Sequence, residues 1–357
     1  MRRRYLVLQD GSVYRGYAFG ADTNAVGEVV FTTANVGYPE SLTDPSYKGQ
    51  ILVFTSPLIG NYGVSQDQWE SDSIQVSGVV VFDATSPSHY TSVMSLDEWL
   101  RREGVPGVFR VDTRALTVKL REVGVMMGAI VDDVNEGLRL VRDAPRYDEI
   151  DFTRLVSPKD IISYGDDDDE PCIGIIDCGV KLGIVRSLLA RGFRVVRYPC
   201  HMWSEAISNC DGVLLSNGPG NPNLLNFLVD AVVDIIRDRK PTLGICLGHQ
   251  VIALGIGARL YKMKYGHRAI NKPVLDLLRN RVYITTHNHG YAVDPQSIKG
   301  TGFKVWAVQP DDKTVEGLIH EELPIITTQF HPEARPGPQD TNWVFDEFAR
   351  LVMRYGR

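Results

Sequence analysis

The sequence contains no run of about 18 apolar residues, so no membrane-spanning helix is expected. Its basic start, Met1-Arg2-Arg3-Arg4, is followed by only a short apolar run before Gln9-Asp10, too little for a signal peptide. Cysteine is sparse: Cys172, Cys178, Cys200, Cys210 and Cys246 are odd in number and form no CxxC pair. Neither a disulfide framework nor a zinc ribbon is therefore expected, and a reduced, cytoplasmic setting fits. Basic charge is not in excess. The 38 Lys and Arg against 44 Asp and Glu give a net charge of -6, which argues against a nucleic-acid partner. A G-x-x-x-x-G-K-[ST] loop and a G-x-G-x-x-G turn after a strand are both missing, so nothing marks an ATP or dinucleotide site of those kinds.

What is present reads as a soluble chain of two domains, with 357 residues and 43% hydrophobic content. Up to about residue 164, short β-like runs dominate, at 5–9, 29–33, 51–55, 79–82 and 108–111. Helical patterns are fewer, chiefly 95–103 and 113–122, the second with Thr113 placed to cap it. Residues 1–164 are thus expected to form a mixed, β-rich α/β domain. Residues 165–171, with the run Gly165-Asp166-Asp167-Asp168-Asp169-Glu170, read as an acidic linker, since like charges repel and bury little.

Residues 172–357 change pattern. Apolar runs at 172–177, 194–198, 212–216 and 242–246 alternate with helical stretches at 181–191, 224–237 and 250–258. That alternation predicts βαβ units and a mainly parallel sheet flanked by helices. The runs at 283–286, 304–308, 315–319 and 324–329 come as consecutive strands, which predicts an antiparallel extension. A closing amphipathic helix is expected over 343–353, with Phe345, Phe348 and Val352 on one face.

Four local patterns carry chemistry. Gly244-Ile245-Cys246-Leu247-Gly248 stands between an apolar strand and a helical pattern. A nucleophile on such a turn needs small neighbours, and the following helix N-terminus favours thiolate. Taken alone, the motif also fits a buried cysteine in a Gly-rich turn. His331-Pro332-Glu333 follows the strand at 324–329. An extended backbone there puts His331 and Glu333 on one side, so that the histidine moves protons and the carboxylate orients it. Cys246, His331 and Glu333 together form a candidate triad. Ser216-Asn217-Gly218-Pro219-Gly220 allows close backbone approach to an oxyanion. His287-Asn288-His289-Gly290-Tyr291 holds two histidines at i and i+2, but no nearby Cys, Asp or third His completes a metal set. A polar loop presenting Asn288 is expected there, and no metal.

These motifs resemble the class I, or triad, glutamine amidotransferases, through residues 244–250, 216–220 and 331–333. The N-terminal half narrows the resemblance to the small-subunit family of carbamoyl-phosphate synthetase. It does so through Gly27-Glu28-Val29-Val30-Phe31, Gly37-Tyr38-Pro39-Glu40, Thr43-Asp44-Pro45-Ser46-Tyr47, Gly60-Asn61-Tyr62-Gly63 and Asp112-Thr113-Arg114-Ala115-Leu116-Thr117. The closing stretch at 331–338 belongs with them. The resemblance implies Cys246 as nucleophile, His331 as general base and acid, and Glu333 as its orienter. It implies the backbones of Gly218 and Leu247 at the oxyanion. It places Ser46, Gly220, Gln250, Asn288, Gly290 and Tyr291 at glutamine contacts. It further implies a large synthetase subunit as partner, L-glutamine as substrate, and ATP and magnesium in the partner rather than in this chain. Two positions depart from the family pattern: Gly183 in place of Asn, and His287 in place of Gln. The rival readings are an amidotransferase serving another synthetase, another thiol hydrolase, and a non-catalytic regulatory scaffold.

Overall fold

The computed structural model describes residues 1–165 and 170–356. The chain divides into two compact units, Met1–Ile150 and Asp151–Arg357. The acidic run 166–169 lies outside the described residues. Residues 151–164 belong with the second unit, because Ile162–Tyr164 pairs antiparallel with Arg194–Pro199.

In the first unit seven strands close into a barrel. The order runs Arg3–Leu8, Val13–Gly20, Pro106–Phe109, Gly78–Val80, Gln50–Phe54, Ala25–Thr32 and Met126–Val131, which returns to the first. Its core includes Leu52, Phe54, Val79, Trp99 and Leu100. Val13–Gly20 was not legible as a strand because its exposed half carries Arg15 and Tyr17 among small residues. The helix Thr113–Val123 is capped by Asp112, whose carboxylate accepts from Ala115 N at 2.9 Å, and not by Thr113 as its sequence suggested. Asp reaches the N3 amide from a non-helical Ncap, whereas Thr113 already has helical geometry.

The second unit holds a ten-stranded sheet. Its five central strands are parallel, in the order Arg194–Pro199, Cys172–Asp177, Gly212–Leu215, Thr242–Ile245 and Ile325–Thr328. Four of them are buried along their whole length, as a parallel sheet covered on both faces requires. Alternation sends Val213 and Leu215 to a layer with Leu228, Val232 and Val251, and Ile173, Ile175 and Leu214 to one with Ile184, Phe345 and Phe348. The sheet continues antiparallel through Val315–His320, Phe303–Val308, Leu260–Asp276 and Arg281–Val293. The mainly parallel sheet with an antiparallel extension is the fold the alternation implied.

Three local expectations are corrected. Residues 287–291 lie inside the strand Arg281–Val293 and are not a loop. Their polarity hid a strand whose backbone is paired to Leu260–Asp276 and whose side chains are buried. Cys172 and Cys210 form a disulfide, their Cα atoms 4.8 Å apart, where no disulfide was expected. The fold brings them together because Asp211, next to Cys210, binds Cys172 through both its backbone and its carboxylate. Residues 332–333 turn instead of extending: Ala334 N bonds back to His331 O at 3.1 Å, and Ala334 and Arg335 take positive φ. Among the described residues no helix is long and apolar enough to cross a membrane.

Candidate active site

Thr242–Ile245 sits at the centre of the sheet, and its last residue delivers the chain to Cys246. Cys246 has φ 53° and ψ -100°, and the helix Leu247–Gly255 begins directly after it. A non-glycine residue at such angles is strained and has to be held. Two backbone bonds hold it: Cys246 N donates to Thr328 O at 2.7 Å, and Gln250 N donates to Cys246 O at 3.2 Å. The flanking glycines are demanded by space. A Cβ on Gly248 would lie 2.1 Å from Leu215 O, and one on Gly244 would lie 2.9 Å from Gly248 O.

His331 lies 1% exposed beyond the adjacent strand Ile325–Thr328, and its N–H bonds Thr286 O at 2.9 Å. Glu333 Oε1 accepts from His331 Nδ1 at 2.7 Å, although the backbone between them turns. Among the described residues Nε2 makes no hydrogen bond of ordinary geometry, while Cys246 lies close enough to act on the ring. Burial disfavours a charged His331, but Glu333 and Cys246 beside it outweigh that and raise it to about 10. Burial likewise pushes Glu333 up, yet Lys181 and His331 bring it down to about 2. The structure thus brings Cys246, His331 and Glu333 together.

It adds a fourth member that sequence reasoning missed. Lys181, 1% exposed, places Nζ 3.0 Å from Glu333 Oε1 and donates to Ala334 O. A lysine inside an apolar pattern, just before a helix, was the available signal: few lysines are fully buried without a partner. Gly183, on the helix Leu182–Leu189, is buried two residues further on and its carbonyl accepts from Ser187 Oγ.

Several of the remaining candidates in the second unit pack near Cys246. Gly218 packs against the helix that follows Cys246: a Cβ there would lie 2.7 Å from Leu247 Cδ2 and 2.4 Å from Cys178 O. Gly220 follows at φ 91°. Asn288 O accepts from Cys246 Sγ at 3.6 Å. Gln250 spends its amide nitrogen on Tyr291 O and Gln329 Oε1, both at 2.9 Å, which ties Tyr291 to the helix Leu247–Gly255. Gly290 leaves room for Arg268, whose Nη2 would lie 3.3 Å from a Cβ at this position. Ser46 belongs to the first unit, where it is buried and its N–H bonds the Asp44 carboxylate at 2.9 Å.

The pair at His287 and His289 is also more than the sequence suggested. His267 and Glu316, from two other strands, join it, and one ligand atom from each of the four lies within 4.8 Å of the others. Burial pushes Glu316 up to about 7 and lowers His287 and His289 well below the usual imidazole range. No spacing rule could have found the set, because each strand contributes only one or two members.

Comparison with known proteins gives the family. A family model described as "Carbamoyl-phosphate synthase small chain, CPSase domain" matches residues 6–130, and one described as "Glutamine amidotransferase class-I" matches residues 174–351. The carbamoyl phosphate synthase small chain of Pyrobaculum aerophilum is 60% identical over 351 residues, covering 98% of this chain and 100% of that one. That of Pyrococcus furiosus is 53% identical over 367 residues, covering 98% of each. Among solved structures, the glutaminase domain of Trypanosoma brucei CTPS is 16% identical, with TM-score 0.41, and covers 51% of this chain and 93% of that one. With relatives this similar along nearly its whole length, the chain belongs to the carbamoyl-phosphate synthase small-chain family and carries a class I glutamine amidotransferase domain.

Proposed function

We propose that this chain hydrolyses L-glutamine through a γ-glutamyl thioester on Cys246 and hands the ammonia to a large synthetase subunit. The observation that carries the reading is the buried series Lys181–Glu333–His331, with His331 close to a cysteine on a positive-φ turn. In this mechanism the Cys246 thiolate attacks the carboxamide carbon. The oxyanion takes hydrogen bonds from backbone N–H groups at Gly218 and Leu247, each donor contributing about 3–4 kcal/mol to the transition state. His331 gives its proton to the departing ammonia. It then takes one from water, which attacks the thioester and releases glutamate. Glu333 holds the ring and stabilises the imidazolium, and Lys181 holds Glu333. Gly220, Gln250, Asn288, Gly290 and Tyr291 shape the glutamine pocket, with Gln250 acting partly by fixing Tyr291.

Ammonia freed into water would be protonated and lose its nucleophilicity, so hydrolysis is useful only beside an acceptor. The family points to a partner that uses bicarbonate, ATP and magnesium to make carbamoyl phosphate for arginine and pyrimidine synthesis. The test is glutamate release by wild type and Cys246→Ala, each with and without the large subunit. Wild type with its partner should release glutamate, and the variant should be slower by roughly three orders of magnitude or more. Acid-quenched wild type should carry a γ-glutamyl adduct on Cys246 by mass spectrometry. Equal rates for the two proteins would refute the reading.

A further inference from the structure

We propose that His267, His287, His289 and Glu316 form a buried, closed zinc site behind the wall of the glutaminase pocket. The four residues come from Leu260–Asp276, Arg281–Val293 and Val315–His320, and they are 4%, 2%, 4% and 0% exposed. One nitrogen of each imidazole is engaged on the outer side. His267 Nε2 meets Asp312 Oδ2 at 2.8 Å, His287 Nε2 meets Thr285 Oγ1 at 2.7 Å, and His289 Nδ1 donates to Tyr291 O at 3.0 Å. Such outer bonds fix the ring tautomer in metal centres. The inner atoms converge. His287 Nδ1 is 3.3 Å from His289 Nε2 and 3.6 Å from Glu316 Oε2, while His267 Nδ1 and His289 Nε2 are 3.7 and 4.0 Å from Glu316 Oε1.

Among the described residues, His267 Nδ1 and both oxygens of Glu316 have no hydrogen-bond partner. Bare, fully buried carboxylate oxygens are costly, and imidazole nitrogens facing them at these distances do not relieve that cost. A tetrahedral zinc with bonds of about 2.0–2.1 Å needs ligand atoms about 3.4 Å apart. Four of the spacings are 3.3–4.0 Å and the whole set lies within 4.8 Å, so the donors close on that figure by side-chain movement. Three imidazoles and one carboxylate are a zinc donor set, and with all four positions taken by protein the site is structural.

The backbone is built for this approach. Gly266 has φ 71°, and a Cβ on it would lie 2.4 Å from His289 O, so only glycine lets the strand before His267 come so close. A register shift between Lys262 and His267 then brings the imidazole in line with His289. Asn288 lies between the two strand histidines, and its carbonyl meets Cys246 Sγ. A zinc ion here would therefore pin the segment that faces the nucleophile.

The test is metal content of the full-length chain by plasma mass spectrometry, after removal of metal and titration with Zn2+ alone. Wild type should bind about one zinc per chain. Cys246→Ala should bind the same amount, which separates this site from the catalytic thiol and leaves the result independent of the glutaminase reading. His287→Gln and Glu316→Gln should lose stoichiometric zinc, and Asp312→Asn should bind about 10–100-fold more weakly. Should the ligand variants fail to fold by circular dichroism, Co2+ in the wild type decides. Tetrahedral d–d bands without thiolate charge transfer support the site, and their absence overturns it. Equal zinc in wild type and folded His287→Gln, or none in wild type, also overturns it.

Discussion

Replacing Lys181 with Met isolates the buried cation that holds the triad. Its Nζ lies 3.0 Å from Glu333 Oε1, and both side chains are at most 1% exposed. Met keeps most of the volume but removes Lys181, which together with His331 holds Glu333 down. Removing one partner of a buried ion pair costs about 3–5 kcal/mol. For a unit of this size each kcal/mol moves Tm by about 2–4 °C, so Lys181→Met should melt roughly 6–20 °C below wild type. The pH dependence has a defined sign. Glu333 sits at about 2 against an ordinary 4.5, so between those values the folded protein binds fewer protons than the unfolded chain. Its contribution is complete above about 4.5 and is lost as pH falls towards 2. Without Lys181 the folded value rises, and the acid loss of stability shrinks. Tm measured from pH 3 to pH 8 for wild type, Lys181→Met, Glu333→Gln and the double variant tests this. The double variant should be more stable than Lys181→Met alone, because no orphan charge remains. If Lys181→Met melts within about 2 °C of wild type and keeps its acid limb, the pair does not hold Glu333 and the reasoning fails.

Cys246→Gly should be more stable than Cys246→Ala by about 0.5–2 kcal/mol in denaturant unfolding, because glycine relieves the strain at φ 53° at some entropic cost. Equal midpoints would mean that the turn is not strained. Gly248→Ala should destabilise by at least about 3 kcal/mol and abolish glutamate release, since the added Cβ meets the Leu215 carbonyl, which belongs to a central strand. An active, wild-type-like Gly248→Ala enzyme would contradict that packing. Gln250→Met should raise KM for glutamine more than it lowers kcat, because it frees Tyr291 without touching Cys246, His331 or Glu333. A fall in kcat at unchanged KM would place Gln250 in the chemistry instead.

The sequence exposed what is encoded within a few residues. The turn at 244–248 was legible because two glycines flank a nucleophile where a strand pattern meets a helix pattern, and close approach leaves no room for larger residues. The parallel sheet was legible because its central strands are apolar on both faces. Of the hairpin Leu260–Asp276 with Arg281–Val293 only the run 283–286 was legible as strand, since Lys262, Lys264, Arg268 and Lys272 break the apolar period of its partner. Lys181 was passed over because its partner lies on the far side of the sheet's connectivity. The glutamine-contact positions came from resemblance to a family, which supplies what periodicity cannot.

The strand Arg281–Val293 shows why such sites escape local reading. Its pleat sends His287 and His289 to one face, where His267 and Glu316 meet them, while the Asn288 carbonyl between them meets the Cys246 sulfur. One five-residue segment thus both faces Cys246 and supplies half of a buried polar cluster. A substitution at His287 would reach the cysteine by shifting this strand. It should therefore change KM for glutamine before it changes the order of events at Cys246, whereas a change at His331 or Glu333 acts on proton transfer itself.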